Sequence, residues 1–237
     1  MKKQFTRCIF LVIFICQGLF SNQVSAQAID SVYHDTLVQK KEEKLWQFRP
    51  IEAVAPVSLA LAAFVTQGSI SRHLQSHVVS EYPNFNTKNF DNYLHYLPAV
   101  VSLSLGASGV KGKHSFGDQL ILALLSNLAA QGVTGSLKLI SKYPRPNGED
   151  NHSFPSGHTS NAFTSATILH EEYGQRSAWY SVGGYTAATT VGTMRVLKNK
   201  HWLADVLMGA GIGIAATKVV YISYPWLKQK VRRIRKK

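Results

Sequence analysis

Cysteine is almost missing from this 237-residue chain. The two present, Cys8 and Cys16, share one apolar run near the N-terminus, so the remainder holds neither a disulfide framework nor a thiolate metal site. Acidic residues are also scarce, 13 against 26 Lys and Arg, and they form no clustered carboxylate site. His34, His73, His77, His95, His114, His152 and His170 show no metal-ligand spacing and read as surface or packing residues. Of these, His73 and His77 are the two placed where a substrate could touch them. No metal and no cofactor is expected. Internal repeats and low-complexity tracts are absent from the sequence.

The formal charge of +13 would suit a nucleic-acid binder if it were spread over a face. It is not. The first 26 residues carry three cations and no acid, the last ten carry seven and no acid, and +3 is left for the chain between. Two basic ends flanking apolar sequence indicate membrane topology, and no groove-reading motif accompanies them, so no nucleic-acid partner is expected.

The N-terminus has a basic start, an apolar run over Cys8–Phe20 and small residues at Val24 and Ala26, the pattern of a signal peptide over residues 1–26 cut before Gln27. An uncleaved signal anchor is the alternative. Residues 27–50 are polar and read as an exposed arm, and residues 228–237 as a basic cytoplasmic tail. Between them lie six apolar stretches: Ile51–Thr66, Leu94–Val110, Leu120–Ile140, Thr159–Leu169, Ala178–Val196 and Leu203–Leu227. A bilayer core needs about 20 apolar residues per helix, which leaves the first and fourth stretches marginal. Gly132, Gly135, Gly183, Gly184, Gly209, Gly211 and Gly213 would let helices approach closely within a membrane. The expected fold is all-α, a membrane-embedded bundle of five or six apolar helices over residues 51–227. A soluble bundle with Ala- and Gly-rich contacts is the alternative, disfavoured by the run Leu203–Ile222, which only Asp205 and Lys218 interrupt.

A cytoplasmic tail and a cytoplasmic Lys111-Gly112-Lys113 set the orientation by the excess of Lys and Arg on that side. Counting back places the other ends of the helices in the periplasm. Six spans would leave residues 27–50 in the cytoplasm, against a cleaved signal peptide. Five spans, with the Pro56-containing first stretch only partly in the membrane, restore agreement.

Three short segments fall on that periplasmic side: Lys138 to Arg145-Pro146, then Pro155-Ser156-Gly157-His158, then Arg195 to His201 and Asp205. Lys142, Arg145, Arg195, Lys198 and Lys200 gather there against the usual charge bias, and phosphate binding is a reason for such an exception. An Arg fork donates two parallel bonds to phosphate. Lys138, near a helix end, can extend its ammonium to the interface. Ser156-Gly157 opens a helix whose N-terminal N–H groups suit an anion. His201 and Asp205, four apart on one helix face, can pair so that one ring nitrogen is held and the other is free to attack. His158 is then available to protonate a leaving group and later activate water. Taken singly, Lys138 and Arg195 would be interfacial anchors, and Tyr143, Phe154 and Trp202 packing residues. Asp205 inside an apolar helix is harder to explain without function.

Together these segments resemble the signature of the type 2 phosphatidic acid phosphatase family, K-x6-R-P, P-S-G-H and S-R-x5-H-x3-D, in the same order over about Leu94–Leu227. The resemblance implies a haloperoxidase-like helical fold and a metal-independent phosphohydrolase. It implies that His201 forms a phosphohistidine, Asp205 orients it and His158 is the general acid. Lys138, Arg145, Ser156, Gly157 and Arg195 would cradle the phosphate. Two departures stand out. Met194 replaces the usual Ser, and only eight residues separate Pro146 from Pro155, which predicts an open mouth suited to a bulky head group. Within the family, the wording Phe154-Pro-Ser-Gly-His-Thr159 and His201-Trp-Leu-Ala-Asp205-Val looks most like small Gram-negative lipid A phosphatases. The implied activity is removal of the 4′- or 1-phosphate of lipid A at the periplasmic face of the inner membrane. Undecaprenyl-pyrophosphate or another lipid phosphate is the second substrate choice. A soluble periplasmic acid phosphatase and a non-catalytic lipid-phosphate binding protein complete the alternatives.

Overall fold

A computed structural model of the chain describes residues 49–83, 85 and 89–234. The expected signal peptide and nearly all of the polar arm lie outside those residues. Eight helices follow in order among them: α1 Ile51–Thr66, α2 Ser69–Glu81, the short α3 Asp91–Leu94, α4 Leu97–Ala107, α5 Phe116–Ser141, α6 Gly157–Tyr173, α7 Ala178–Leu197 and α8 Leu203–Ile234. No strand occurs among the described residues, and the all-α expectation holds.

The sequence explains where these helices begin and end. Ser115, Ser156 and Ser177 each present a side-chain oxygen to a backbone N–H in the first turn of α5, α6 and α7, the donors that a helix start leaves unpaired. Lys142 ends α5 in the left-handed conformation at φ 43°, and the next residues turn away as Tyr143-Pro144-Arg145-Pro146.

In α5 the usual soluble pattern is inverted. Gln119, Leu122, Ala123, Ser126, Ala130 and Thr134 face inward at helical spacing. Leu120, Ile121, Leu124, Leu128, Val133, Leu139 and Ile140 face outward, exposed. Small and polar residues inside with large apolar residues outside is the arrangement a lipid surround favours. At 26 residues, α5 is about 39 Å long by the rise of an α-helix, enough to cross a bilayer.

Among the described residues, only α5 and residues Leu203–Val231 of α8 are both long and apolar enough to span alone. The α1–α2 pair passes the same test together but bends by 80° at the break between them. By length and composition the described residues therefore supply two candidate spans, or three with the bent pair, where the sequence suggested five or six apolar helices. The difference has a physical cause in α6 and α4. Helix α6 is buried on nearly every face, from Thr159 through Tyr173, so its hydroxyls need partners rather than lipid. Thr167 donates to Phe163 O at 2.7 Å and Thr159 to Ser156 Oγ at 2.9 Å. Helix α4 has only 11 residues. At the far end, α8 runs on through residues 228–234, so that part of the basic tail continues the helix, with Lys228 paired to Asp118 at 2.5 Å.

Helix α6 is the axis of the bundle, packed against α4, α5, α7 and α8, with α1 lying on α8. The stretch Gly209-Ala-Gly-Ile-Gly213 makes this possible. A Cβ at Gly209 would lie 2.6 Å from Ser156 O, and one at Gly213 would collide with Ser160 O and lie 2.9 Å from Thr164 N. Gly211, on the other side, approaches Pro56 O in the same way at 3.0 Å. Alternate glycines thus seat α8 on α6 and α1 at once.

The end of the bundle carrying Lys113 is closed by polar pairs. Glu172, buried, accepts from the His114 N–H at 3.0 Å and from the Tyr221 hydroxyl at 2.9 Å, and also bonds the His114 ring. Glu171 pairs with Lys113 and Lys218.

Candidate active site

The three signature segments meet at the opposite end. His201 stands just before α8 and Asp205 in its first turn. Their side chains are both buried, with His201 Nδ1 3.3 Å from Asp205 Oδ2. The same carboxylate oxygen accepts from the Trp202 N–H at 2.9 Å and from the Ser153 hydroxyl. Asp205 is therefore fixed by its own helix start and by the loop before α6. Its Oδ1 is buried and without a partner. A carboxylate on Nδ1 places the hydrogen there and leaves Nε2 with a lone pair. Arg145 NH1 lies 3.3 Å from that Nε2.

His201 exposes 2% of its surface. Burial pushes its imidazole down to about 4, with the Asp205 carboxylate pulling the other way, so the ring is neutral near pH 7. The unfolded ring titrates near 6.5. The unfolded state therefore binds more protons at acid pH, and the stabilisation present above about 6.5 is lost as pH falls toward 4. Wild-type protein is expected to lose roughly 2 to 4 kcal/mol across that window that His201→Gln does not lose. The unfolding midpoint in detergent as a function of pH, compared between the two proteins, measures it.

Around this pair the cations converge from three directions. Lys138, in the last turn of α5, reaches the carbonyls of His152 and Ser153 at 2.5 and 3.4 Å. Arg145 donates from Nε to Asp150 at 2.8 Å and from NH1 to Lys200 O at 3.2 Å. Its hydrogen bond holds the Asp150 carboxyl down to about 2. Ser156 caps α6, and its N–H donates to Asp205 O at 2.9 Å, which ties the second segment directly to the third. Gly157 follows with room above its Cα, the nearest atoms to an added Cβ being on Thr134 and Lys138 at 3.9 and 4.0 Å.

Arg195, buried at the end of α7, donates to Asp91 Oδ2 at 2.7 Å, while its Nε has no partner. Lys198 takes the other oxygen of Asp91 at 2.6 Å. Asp91 is fully buried. Burial raises its carboxyl, but hydrogen bonds from Lys198 and Arg195 outweigh this and hold it at about 2. His158, in the first turn of α6, has Nε2 2.9 Å from Asn92 Oδ1.

Two expectations change. The short link between the first two segments does not leave the site open. It folds back through Arg145 N–H to Asp150 O and Ser153 N–H to Tyr143 O, both at 2.9 Å, and Glu149 pairs with Lys200 across it. Eight residues suffice because their ends start close together, and the result covers His201. His95 is not an incidental packing residue either. Its ring lies 5.0 Å from that of His158. The sequence also missed Asp91, Asn92, Ser153 and Asp150. Only Ser153, two residues before the Pro155 motif, had a position that could have drawn notice. Tyr143 and Trp202 pack edge to face at 6.5 Å and Phe154 sits in an apolar cluster with Ala63, Met208 and Ile212, as expected of packing residues. His73 and His77 contact each other on α2. Among the described residues no group of three or more His, Cys, Asp or Glu could hold a metal ion.

Residues 119–229 match the family model of the PAP2 superfamily. Lipid A 1-phosphatase of Porphyromonas gingivalis is 39% identical over 151 residues, 63% of this chain and 33% of that protein. The chain thus spans about a third of the length of that curated relative. The crystal structure of a transmembrane PAP2-type phosphatidylglycerolphosphate phosphatase from Bacillus subtilis covers 70% of this chain and 94% of its own, at TM-score 0.53 and 20% identity, a likeness of fold. That of LpxE from Aquifex aeolicus covers 62% and 93%, at TM-score 0.47 and 21% identity.

Proposed function

We propose, from the premise that residues 119–229 of this chain are a PAP2 superfamily domain, that it is a lipid phosphate phosphohydrolase working through a phosphohistidine. The observation that carries the reading is the buried His201–Asp205 pair, with the free Nε2 beside Arg145. A histidine kept neutral by burial, held at Nδ1 and facing a guanidinium at Nε2 is prepared to attack an anion that the guanidinium draws in.

The reaction follows from the roles available. Nε2 of His201 attacks phosphorus and the bond to the leaving oxygen breaks. Burial, and then the Arg195 guanidinium, hold the His158 ring low, at about 3, so it takes up its proton beside the phosphate dianion and gives it to that oxygen. The phosphorylated His201 ring keeps its hydrogen on Nδ1 and is cationic, and Asp205 stabilises it. His158, now neutral, takes a proton from water as the water attacks phosphorus. Inorganic phosphate leaves, His201 is restored and His158 is again protonated. Lys138, Arg145, Arg195 and the Ser156–Gly157 helix start would hold the three equatorial oxygens of the transferred phosphoryl group, where charge gathers during transfer. The unpartnered Arg195 Nε fits that task.

The substrate reading is lipid A at the periplasmic face of the inner membrane. The lipid-facing stripe of α5 supports a lipid substrate. The 39% identity to lipid A 1-phosphatase supports lipid A and favours its 1-phosphate over the 4′-phosphate. Mass spectrometry of lipid A from Gram-negative cells with and without the protein tests this. Loss of one phosphate is expected. Unchanged lipid A, with release of phosphate from undecaprenyl pyrophosphate by the purified protein, would move the substrate to the prenyl class.

A further inference from the structure

The three signature segments leave one part of the site unaccounted for, the short α3 turn. Asp91 is fully buried between two cations, Arg195 NH1 at 2.7 Å and Lys198 Nζ at 2.6 Å. His95 Nδ1 returns to Asp91 O at 2.8 Å and closes the turn on itself. Nearby, Gln75 of α2 donates to Val196 O at 3.1 Å and Asn199 Oδ1 at 2.8 Å, so the loop after Arg195 is gripped from two sides. The turn is thus anchored to the end of α7 by a buried ion-pair triad. Between its anchors Asp91 and His95 stands Asn92, an exposed residue, and its amide oxygen lies 2.9 Å from His158 Nε2. The His95 ring meets the His158 ring edge to face at 5.0 Å.

We propose that Asn92 is the positioning residue of His158, its amide oxygen holding the Nε2–H and leaving Nδ1 as the nitrogen that gains and gives up the transferred proton. This rests on the reading of His158 as general acid. An amide oxygen only accepts, so the hydrogen of the neutral ring is on Nε2. A second proton must then enter at Nδ1 and leave from Nδ1 to the departing oxygen. No other bond changes at Asn92. When the ring is protonated, its bond to Asn92 becomes charge-assisted and strengthens, so Asn92 favours the acid form as well as the ring orientation. The anchoring by Asp91 explains how an exposed asparagine can hold a ring in register.

Asn92→Ala tests the inference, because the site is exposed and the Asp91 anchor is untouched. The charged and titratable groups acting on the ring are Arg195, His95, Asp91 and His201, and none changes in the variant. Purified wild type and variant are compared on lipid A in detergent micelles and on undecaprenyl pyrophosphate, with kcat, KM and the pH profile measured for whichever is turned over. The expected result is a fall in kcat of about tenfold, part of what a general acid contributes, with KM unchanged and the alkaline limb moved to lower pH. An unchanged kcat would overturn the inference. So would a lower kcat with an unmoved alkaline limb, which is what a purely structural role gives. Wild-type protein inactive on both substrates would remove the phosphohydrolase reading, and this inference with it.

Discussion

His201→Ala is expected to abolish turnover, lowering kcat by about 10⁴-fold or more. The reason lies in what remains after the change. Lys138, Arg145 and Arg195 would still draw a phosphate into the site, so binding survives. Nothing else in the site supplies a neutral nitrogen at the phosphorus. In the proposed reaction His158, with Nε2 2.9 Å from Asn92 Oδ1, serves as proton donor and does not replace the nucleophile. Affinity for orthovanadate, a phosphate-shaped anion, should change far less than kcat. The two readouts separate loss of the nucleophile from loss of the fold, which would remove both. Near-normal turnover in His201→Ala would refute the nucleophile assignment.

The second large effect concerns the helix crossing that carries the site. Gly213→Val is expected to destabilise the protein by about 3 kcal/mol, since overpacking where nothing can yield costs on this scale. At this position the obstacles are two backbone atoms of α6, Ser160 O and Thr164 N. Neither can rotate away as a side chain would. To admit the new side chain, α8 must separate from α6, and the Ser156 N–H to Asp205 O bond at 2.9 Å stretches with it. Activity should therefore fall together with the unfolding midpoint in detergent. Gly132→Val is the control. It is also a glycine in a long apolar helix, but nothing lies within 4 Å of its added Cβ, so its midpoint should match wild type.

Much of this was legible in the sequence because it is local. Ile51–Thr66 and the start of α8 at Leu203 appear where the apolar stretches placed them. The His201–Asp205 pair follows from the spacing of one helical turn. The Gly209, Gly211 and Gly213 series announced a close crossing, though not which neighbour each glycine faces. What stayed hidden depends on distance along the chain. Asp91 and Arg195 are 104 positions apart, and Asn92 and His158 are 66 apart; no periodicity links them. Helix α2 was missed because its apolar residues are few, and it docks through Gln75 rather than through an apolar stripe. Which apolar helices are long enough to span was hidden for a related reason. Apolar, small-residue sequence reads alike whether lipid or protein surrounds it, and α6 is surrounded by protein. The open mouth predicted from eight residues failed because loop length does not reveal how close its two ends already are.

The central claim is that His201 accepts the phosphoryl group from a lipid phosphate. Purified protein mixed with lipid A in detergent and quenched in base during turnover tests this most directly, because a phosphoryl group on histidine survives alkali and is lost in acid. One phosphoryl group per chain is expected, mapped by mass spectrometry to His201, absent from His201→Ala and undiminished by a metal chelator. A turning-over enzyme with no phosphoryl group on His201, or with one on another residue, would contradict it.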